Sequence, residues 1–456
     1  MMKYNNILQS QKDFFDTNST KDISFRIEQL KHLKTVLKNN EDRLFKAIYE
    51  DLGKSEFECI LTELAPIESE INYSIKKIKK WTKKRKFRTD IPNLPAKSYV
   101  MPEPLGCTLV ISAWNYPYHL SLLPVIAAIT AGNTAILKPS EISPRTSALM
   151  AELINSEFPK EFLYVVEGGV KETTELINLK FDKIFYTGNG KVGKIIAIAA
   201  ANNLCPITLE LGGKSPVFID ASCDIKMSAQ RLVWAKFLNA GQTCIAPDYV
   251  IIDKMIEKEF LEELKNNIEK YYKSDSDISE NYTRIINERH FDRIDNIIDR
   301  NKIFVGGKTN KDNLFISPTI LHNIDWKDKI MQDEIFGPIL PVITYENIND
   351  AIKEVKKKDK ALSLYIFSKN KIIIDKILNE VSFGGGCIND AIMQLSNNKL
   401  PFGGVGESGI GRYHGIHGFN EFSNLKSIVH KSFLFETSLK YFPYNKKKLS
   451  ILKKLI

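Results

Sequence analysis

The order of apolar and polar positions divides the chain into stretches with different periods. In residues 22–52, Ile27, Leu30, Leu33 and Leu37, then Leu44 and Ile48, recur at three- and four-residue spacing, which puts them on one helical face. Asn39-Asn40 interrupts the period and Gly53 closes it, so the spacing predicts two helices. Residues 61–80 continue in the same style, acidic first and basic later. Residues 88–104 then carry Pro92, Pro95, Pro102 and Pro104, which no helix tolerates, and read as an extended arm. From Gly106 short β-branched runs alternate with helical stretches. Residues 106–112 precede a loop and a helix reaching Ala131, 134–137 a helix from Pro144, 163–166 a helix from Lys171, and 183–186 a helix from Lys191. Such alternation predicts a parallel sheet covered by helices on both faces and joined by right-handed crossovers. A second set of strands and helices runs from Gly213 to about Lys399.

At 456 residues the chain exceeds what one core organises, so more than one domain is expected. Six cysteines without regular spacing or a C-x-x-C pair speak against a disulfide framework and a zinc site, and imply a reducing compartment. No apolar run reaches bilayer length and the first residues do not resemble a signal peptide, so a cytoplasmic protein is expected. The net charge of +9 is concentrated in residues 76–88, with nine basic side chains, and in residues 440–456, with six lysines. The first cluster reads as a solvated helix end, where cations are favourable; no nucleic-acid motif accompanies it and no nucleic-acid partner is expected. The tail interleaves lysines with Leu449, Ile451, Leu452, Leu455 and Ile456, and reads as docked on the protein's own surface or, at most, as an interfacial helix making weak peripheral membrane contact.

Candidate chemistry centres on Gly241-Gln242-Thr243-Cys244-Ile245-Ala246-Pro247, a small-residue turn after the amphipathic run 224–238. Most cysteines in such proteins are inert core thiols, the reading for Cys59, Cys107, Cys205, Cys223 and Cys387. Cys244 differs because its turn leaves backbone N–H groups free to face a bound oxygen. A free thiol of pKa near ~8.5 is mostly protonated at neutral pH, so a nucleophilic Cys244 needs such help. Asn115, in Trp114-Asn115-Tyr116-Pro117 at the end of the first strand, can aim its amide at a developing oxyanion. Thr187-Gly188-Asn189-Gly190-Lys191-Val192-Gly193 satisfies a G-x-G-x-x-G pattern after a strand, which alone is a weak dinucleotide signal. Glu210, in Leu209-Glu210-Leu211-Gly212-Gly213-Lys214, stands near the distance at which a ribose-binding acid is expected, and equally could serve as a base beside Cys244. His414 and His417 lack partners at metal-ligand spacing and read as structural; no metal site is expected.

Together these motifs resemble the aldehyde dehydrogenase family over nearly the whole chain, and Gly241-Gln242-Thr243-Cys244-Ile245-Ala246-Pro247-Asp248-Tyr249 is most similar to its class 3 branch of fatty and aromatic aldehyde dehydrogenases. The resemblance implies an α/β fold: a Rossmann-like parallel-sheet cofactor domain (residues 1–87 and 105–209), a second α/β catalytic domain (210–400), a small β oligomerisation arm (88–104 and 420–436) and a basic tail (437–456). It implies Cys244 as nucleophile, Asn115 as oxyanion donor and Glu210 as base, the ribose carboxylate falling to Glu141. Cofactor contacts are implied at Lys138, Glu141, Thr187, Gly188, Gly193, Leu211, Gly212, Glu334 and Phe336, with NAD favoured and NADP possible. Tyr116, Trp234, Phe237 and Thr243 are implied around an apolar aldehyde substrate, and a homodimer is implied. A coenzyme A-acylating dehydrogenase, or a fold retained as a binding protein with a vestigial site, are the alternatives.

Overall fold

The computed structural model describes residues 2–272 and 281–455. A six-stranded sheet runs in the order Gly409–Ile410, Ile207–Glu210, Lys183–Thr187, Cys107–Ile111, Thr134–Lys138, Leu163–Val165. All neighbours are parallel except the Gly409–Ile410 edge. Three of its inner strands, Cys107–Ile111, Thr134–Lys138 and Lys183–Thr187, are buried at every position, because helices cover both faces and no side of the pleat meets water. The strand order reverses beside Cys107–Ile111, which creates a crevice at the carboxyl ends, the place where open α/β sheets take ligands.

A seven-stranded sheet follows, in the order Ile303–Val305, Thr319–Leu321, Ile339–Tyr345, Tyr249–Asp253, Pro216–Ile219, Ser363–Phe367, Gly385–Ile388, parallel except for its first pair. The Cys244 turn enters Tyr249–Asp253 at its amino end, and side chains from the carboxyl edge of the first sheet reach that turn. The chemistry therefore lies where the two sheets meet.

The two helices expected in residues 22–52 are Ile23–Asn39 and Glu41–Leu52, ended by Gly53 at φ 62°. Residues 88–104 form the strand Ala96–Pro104, which pairs along its whole length with Ser423–Lys431 and on its other side with Arg85–Phe87. The basic cluster departs from its expected form: the helix ends at Trp81, so only part of the cluster lies on a helix end, and Arg85 and Lys86 sit in that small sheet. A helix at Met2–Asp16 adds to the fold; its Gln11 is buried and donates to the Ala135 carbonyl oxygen at 2.9 Å. Among the described residues no helix is long and apolar enough to cross a membrane.

The helix Pro117–Ala131 is buried all round, its sequence apolar on every face. Its amino end is held by Glu63, whose Oε2 accepts from the N–H groups of Tyr118 and His119, each at 3.0 Å. Those N–H groups have no partner within the helix, and a carboxylate there also suits the helix dipole. Lys54, as fully buried as Glu63, donates to Glu63 Oε1 at 2.8 Å and lies 4.3 Å from the centre of the Tyr116 ring. The segment carrying Asn115 and Tyr116 is thus fixed from behind.

Candidate active site

The helix Ile225–Phe237, capped by Asp224 accepting from the Met227 N–H, delivers the chain to the cysteine turn. Asn239 and Ala240 then adopt left-handed conformations at φ 54° and 50°, followed by Gly241 at 70°. A side chain at Gly241 would overlap the Gly337 carbonyl oxygen, so only glycine fits. Left-handed alanine is disfavoured by about 1 kcal/mol, a cost met by hydrogen bonds. Asn239 Nδ2 donates to the carbonyls of Asn115 at 2.9 Å and Gln242 at 3.0 Å, and Gln242 Nε2 to that of Arg284 at 2.9 Å.

Across the crevice, Asn115 Nδ2 donates to the Gln242 carbonyl oxygen at 3.0 Å, and the Tyr116 hydroxyl meets Thr243 Oγ1 at 2.5 Å. An amide carries two N–H donors, so one remains to serve a ligand beside Cys244. Burial pushes the Cys244 thiol up to about 12, with the Glu334 and Glu210 carboxyls adding to the shift, while the N–H groups of Cys244 and Ile245 oppose it. The thiol is protonated at neutral pH in this form of the site.

Glu210 ends the strand Ile207–Glu210 and is buried with both carboxyl oxygens unpartnered. Burial raises its pKa well above the usual range, and Arg412 opposes the shift. Arg412 is itself tied to the carbonyls of Gly403 at 2.8 Å and Gly384 at 3.1 Å. Only in its ionised form could such a carboxyl, with both oxygens free, take a proton from water.

The dinucleotide candidates line the carboxyl edge of the first sheet. Thr187 ends its strand with Oγ1 buried and unpartnered, and the Gly188 N–H donates to the Glu210 carbonyl oxygen at 3.0 Å. Asn189 caps the helix Gly190–Asn202 by accepting from the Val192 N–H, and a side chain at Gly190 would meet only open space. Gly193 faces Leu211, whose Cδ2 would lie 2.9 Å from an added Cβ. Lys138 Nζ bonds Glu141 Oε2 at 2.6 Å, with Glu141 45% exposed and able to take a further donor. A helix amino end with free N–H groups, an orphaned hydroxyl and an accessible carboxylate are donors and acceptors suited to a pyrophosphate and a ribose. The residues present therefore fit a dinucleotide.

Glu334 and Phe336 reach the same crevice from the second sheet. A side chain at Gly212 would overlap the Glu334 carboxylate, which burial and the nearby Asp248 raise to about 8. Phe336, at φ 47°, sets its ring edge-on to Trp114 at 5.5 Å. Asp248 fixes this segment by accepting from the Ile335 N–H at 2.9 Å and pairing with Lys214. Of the expected substrate residues, Tyr116 and Phe237 are buried, Thr243 is buried against Tyr116, and Trp234 is 37% exposed on the same helix as Phe237. The sequence reading did not single out Asn239, Gln242, Arg412, Lys54 and Glu63, which hold the others in place; only Gln242 lay inside a motif.

With this geometry in view, the comparisons are specific. The model of the aldehyde dehydrogenase family matches residues 2–428. The 4,4'-diaponeurosporen-aldehyde dehydrogenase of Staphylococcus aureus is 44% identical over 438 residues, covering 96% of this chain and 95% of that protein. The dimeric NADP-preferring aldehyde dehydrogenase of Mus musculus is 41% identical over 432 residues, covering 95% of each. A solved structure of Staphylococcus aureus AldH in a substrate-bound state superposes with a TM-score of 0.96 at 42% identity, over 99% of both chains. The α/β fold with its Rossmann-like parallel sheet is the one those structures share. The chain belongs to the aldehyde dehydrogenase family and is an NAD(P)-dependent oxidoreductase acting on aldehydes.

Proposed function

We propose that this enzyme oxidises apolar aldehydes, medium- or long-chain or aromatic, to carboxylic acids through a thioester on Cys244. The observation that carries this reading is the convergence on one turn of a cysteine, a pinned amide and a buried carboxylate with free oxygens. Cys244 first releases its thiol proton to water, Sγ then attacks the carbonyl carbon, and the oxygen that gains charge accepts hydrogen bonds from the second N–H of Asn115 Nδ2 and from the Cys244 backbone N–H. Oxyanion donors of this kind are typically worth about 3 kcal/mol each in the transition state. A dinucleotide held by the residues named below would supply the hydride acceptor for the reacting carbon. Glu210 then takes a proton from water as its oxygen attacks the thioester carbonyl, the C–S bond breaks, and the acid leaves with Cys244 restored.

Thr187, Gly188, Gly193, Leu211 and Gly212, with Lys138 and Glu141, hold the dinucleotide in this reading, and Glu334 and Phe336 close over it from the second sheet. Glu141 favours NAD by hydrogen bonding a 2′-hydroxyl and repelling a 2′-phosphate, while Lys138 leaves room for NADP. Tyr116, Trp234, Phe237 and Thr243 surround the aldehyde. Residues 1–87 and 105–209 serve the cofactor and 210–400 the chemistry. Glu210 as a base favours hydrolysis over transfer to coenzyme A, which needs no base for water. The test is product identification with and without coenzyme A: free acid in both reactions supports the reading, and an acyl-coenzyme A product defeats it.

The arm, residues 88–104 and 420–436, joins two subunits in this reading. It is supported by two unpaired edges, Ser423–Lys431 in the small sheet and Gly385–Ile388 in the seven-stranded sheet, and by Val429 and Ile388, which are 54% and 46% exposed. A monomeric mass by light scattering at micromolar concentration would refute the dimer. The tail, residues 437–456, contains the helix Lys446–Leu455 with Leu449, Ile451 and Leu452 at least partly exposed; Ile456 lies outside the described residues. Weak contact with anionic lipid suits that pattern. Equal sedimentation with anionic vesicles of the full chain and of one cut after Glu436 would end that idea. All six cysteines are free, which suits the reducing cytoplasm.

A further inference from the structure

A cavity of about 1000 Å³ lies between the first turns of the helix Ile23–Asn39, the carboxyl end of the helix Ala65–Trp81 and the arm strands Ala96–Pro104 and Ser423–Lys431. None of the residues placed in the catalytic crevice lines it. Its volume is that of a small-molecule site. Ile23, Ile27, Met101, Pro104, Ala131 and Phe419 give it apolar surface, and Pro104, Ala131 and Phe419 are buried, so the apolar part is its floor. Lys21, Lys31, Lys79, Lys83 and Lys84 are exposed and stand at the rim, where their aliphatic stems extend the apolar wall and their ammonium groups meet water.

The charge around this cavity is not balanced. Arg26 also lines it and is 5% exposed. Its Nε donates to the Thr20 carbonyl oxygen at 2.6 Å, Nη1 to that of Thr130 at 3.2 Å and Nη2 to that of Lys21 at 3.1 Å. Those acceptors are neutral, and among the described residues no carboxylate pairs with the guanidinium. Asp22, whose charge reaches it, is engaged in capping Ser24. Burial lowers Arg26 to about 10, so it stays charged at neutral pH. Of the two carboxylates in the lining, Glu103 accepts from Lys426 Nζ at 2.5 Å and from Asn424 Nδ2 at 2.9 Å. That leaves Glu28 alone against Arg26 and the rim lysines. Like charge keeps the chain's own lysine-rich tail, residues 440–456, from filling the space.

An apolar floor under an uncompensated positive rim suits a ligand with one apolar chain and an anionic head. The chain leaves water against the floor, and the head meets ammonium groups at the mouth. An inorganic anion would leave the floor uncovered, and a polyanion would bring charge onto it without a partner. We propose that this cavity binds an apolar carboxylate, its chain on the floor and its head among the rim lysines. The lining calls for the anionic amphiphile; the choice of carboxylate over phosphate rests on the proposed oxidation, whose product is of that class. Because the arm forms one wall, the bound acid also ties the arm to the helices Ile23–Asn39 and Ala65–Trp81, away from Cys244.

The test is isothermal titration calorimetry of the full chain with hexanoate, octanoate and decanoate. Affinity should rise about three- to fourfold for each added methylene that the floor covers. Decanol, decylammonium and inorganic phosphate should each bind about tenfold or more weakly than decanoate. Lys79→Glu/Lys83→Glu should weaken decanoate by about tenfold or more, and Lys79→Gln/Lys83→Gln by less, with kcat/KM for an aldehyde unchanged in both. Decanoate should also raise the melting temperature of the wild type and not that of the Glu variant. If the Glu variant does not fold, the Gln variant carries the comparison. Affinity unchanged in both variants would put the acid elsewhere, the catalytic crevice included, and overturns the inference. Absence of binding, equal binding of decanol, or binding of decyl phosphate but not of decanoate overturns it as well. A chain that binds decanoate at the rim lysines yet oxidises no aldehyde would defeat the aldehyde reading and leave this site standing, a distinguishable result.

Discussion

Replacing Lys54 by methionine tests whether the oxyanion segment is held from behind. In the native protein Lys54 and Glu63 are both fully buried and joined at 2.8 Å, and Lys54 also reaches the Asn115 carbonyl oxygen at 3.4 Å. Burial raises the Glu63 carboxyl and Lys54 draws it back. Methionine fills most of the volume of the lysine but leaves the Glu63 carboxylate with only the N–H groups of Tyr118 and His119. Removing one partner of a buried ion pair typically costs about 3–5 kcal/mol. The Tyr116 ring also loses the cation beneath it, worth about 0.5–2 kcal/mol on its own. Part of the larger figure disappears if Glu63 takes a proton, so the loss is expected to be smaller at lower pH. If Asn115 shifts with its anchor, up to the roughly 3 kcal/mol of one oxyanion donor is lost from the transition state, about a hundredfold in kcat. The assay is urea unfolding of Lys54→Met, Glu63→Leu and the double variant, with steady-state kinetics on each. A coupling energy above about 2 kcal/mol between the two positions supports the clamp. Additive losses, or a Lys54→Met enzyme with wild-type stability and kcat, would refute it.

Glu141→Gln should raise the ratio of NADP to NAD efficiency, because it removes both a bond to the 2′-hydroxyl and repulsion of a 2′-phosphate; an unchanged ratio in cofactor-saturation kinetics would assign ribose reading elsewhere. Gly212→Ala should weaken cofactor binding by pushing the Glu334 carboxylate aside, visible in a nicotinamide fluorescence titration as a raised Kd with the fold intact. Glu70 is buried and raised to about 7 from an ordinary 4.5, so the folded chain holds its proton more tightly than the unfolded chain. Its contribution to stability is therefore lost as pH rises from about 4.5 to about 7, and Glu70→Gln should stabilise the protein by about 3 kcal/mol at pH 8 and hardly at all at pH 4. A pH-independent difference in melting temperature would contradict that assignment.

The parallel sheets were legible because their strands are buried on both faces, which writes unbroken β-branched runs such as Cys107–Ile111 into the sequence. The small sheet was legible from the prolines of residues 88–104, and its partner segment 420–436 through the family resemblance. The helix Met2–Asp16 was not: its apolar contacts are few, at Tyr4, Ile7, Leu8 and Phe14, and Gln11 adds bonds to main-chain oxygens that have no periodic signature. Cys244, Asn115 and Glu210 stood out because each belongs to a compact motif. Lys54 and Glu63 did not: a lysine and a glutamate in a polar stretch read as solvated, and only the packing of Pro117–Ala131 shows that they are enclosed. His414 read as structural for want of metal-ligand neighbours, and that its Nε2 is buried without a partner is visible only in the folded chain.

In the proposed mechanism Cys244 carries the acyl group and Glu210 brings water to it. Stopped-flow absorbance of purified Glu210→Gln, with saturating NAD and a medium-chain aldehyde, tests both parts at once. The expected result is a rapid burst approaching one equivalent of NADH per site, then a steady state slower than wild type by about a hundredfold to ten-thousandfold, with the acyl mass found on Cys244 in the quenched protein. Absence of the burst would show that Glu210 is also needed to deprotonate Cys244. Near-normal turnover under saturating NAD would contradict the assignment of Glu210 as the base.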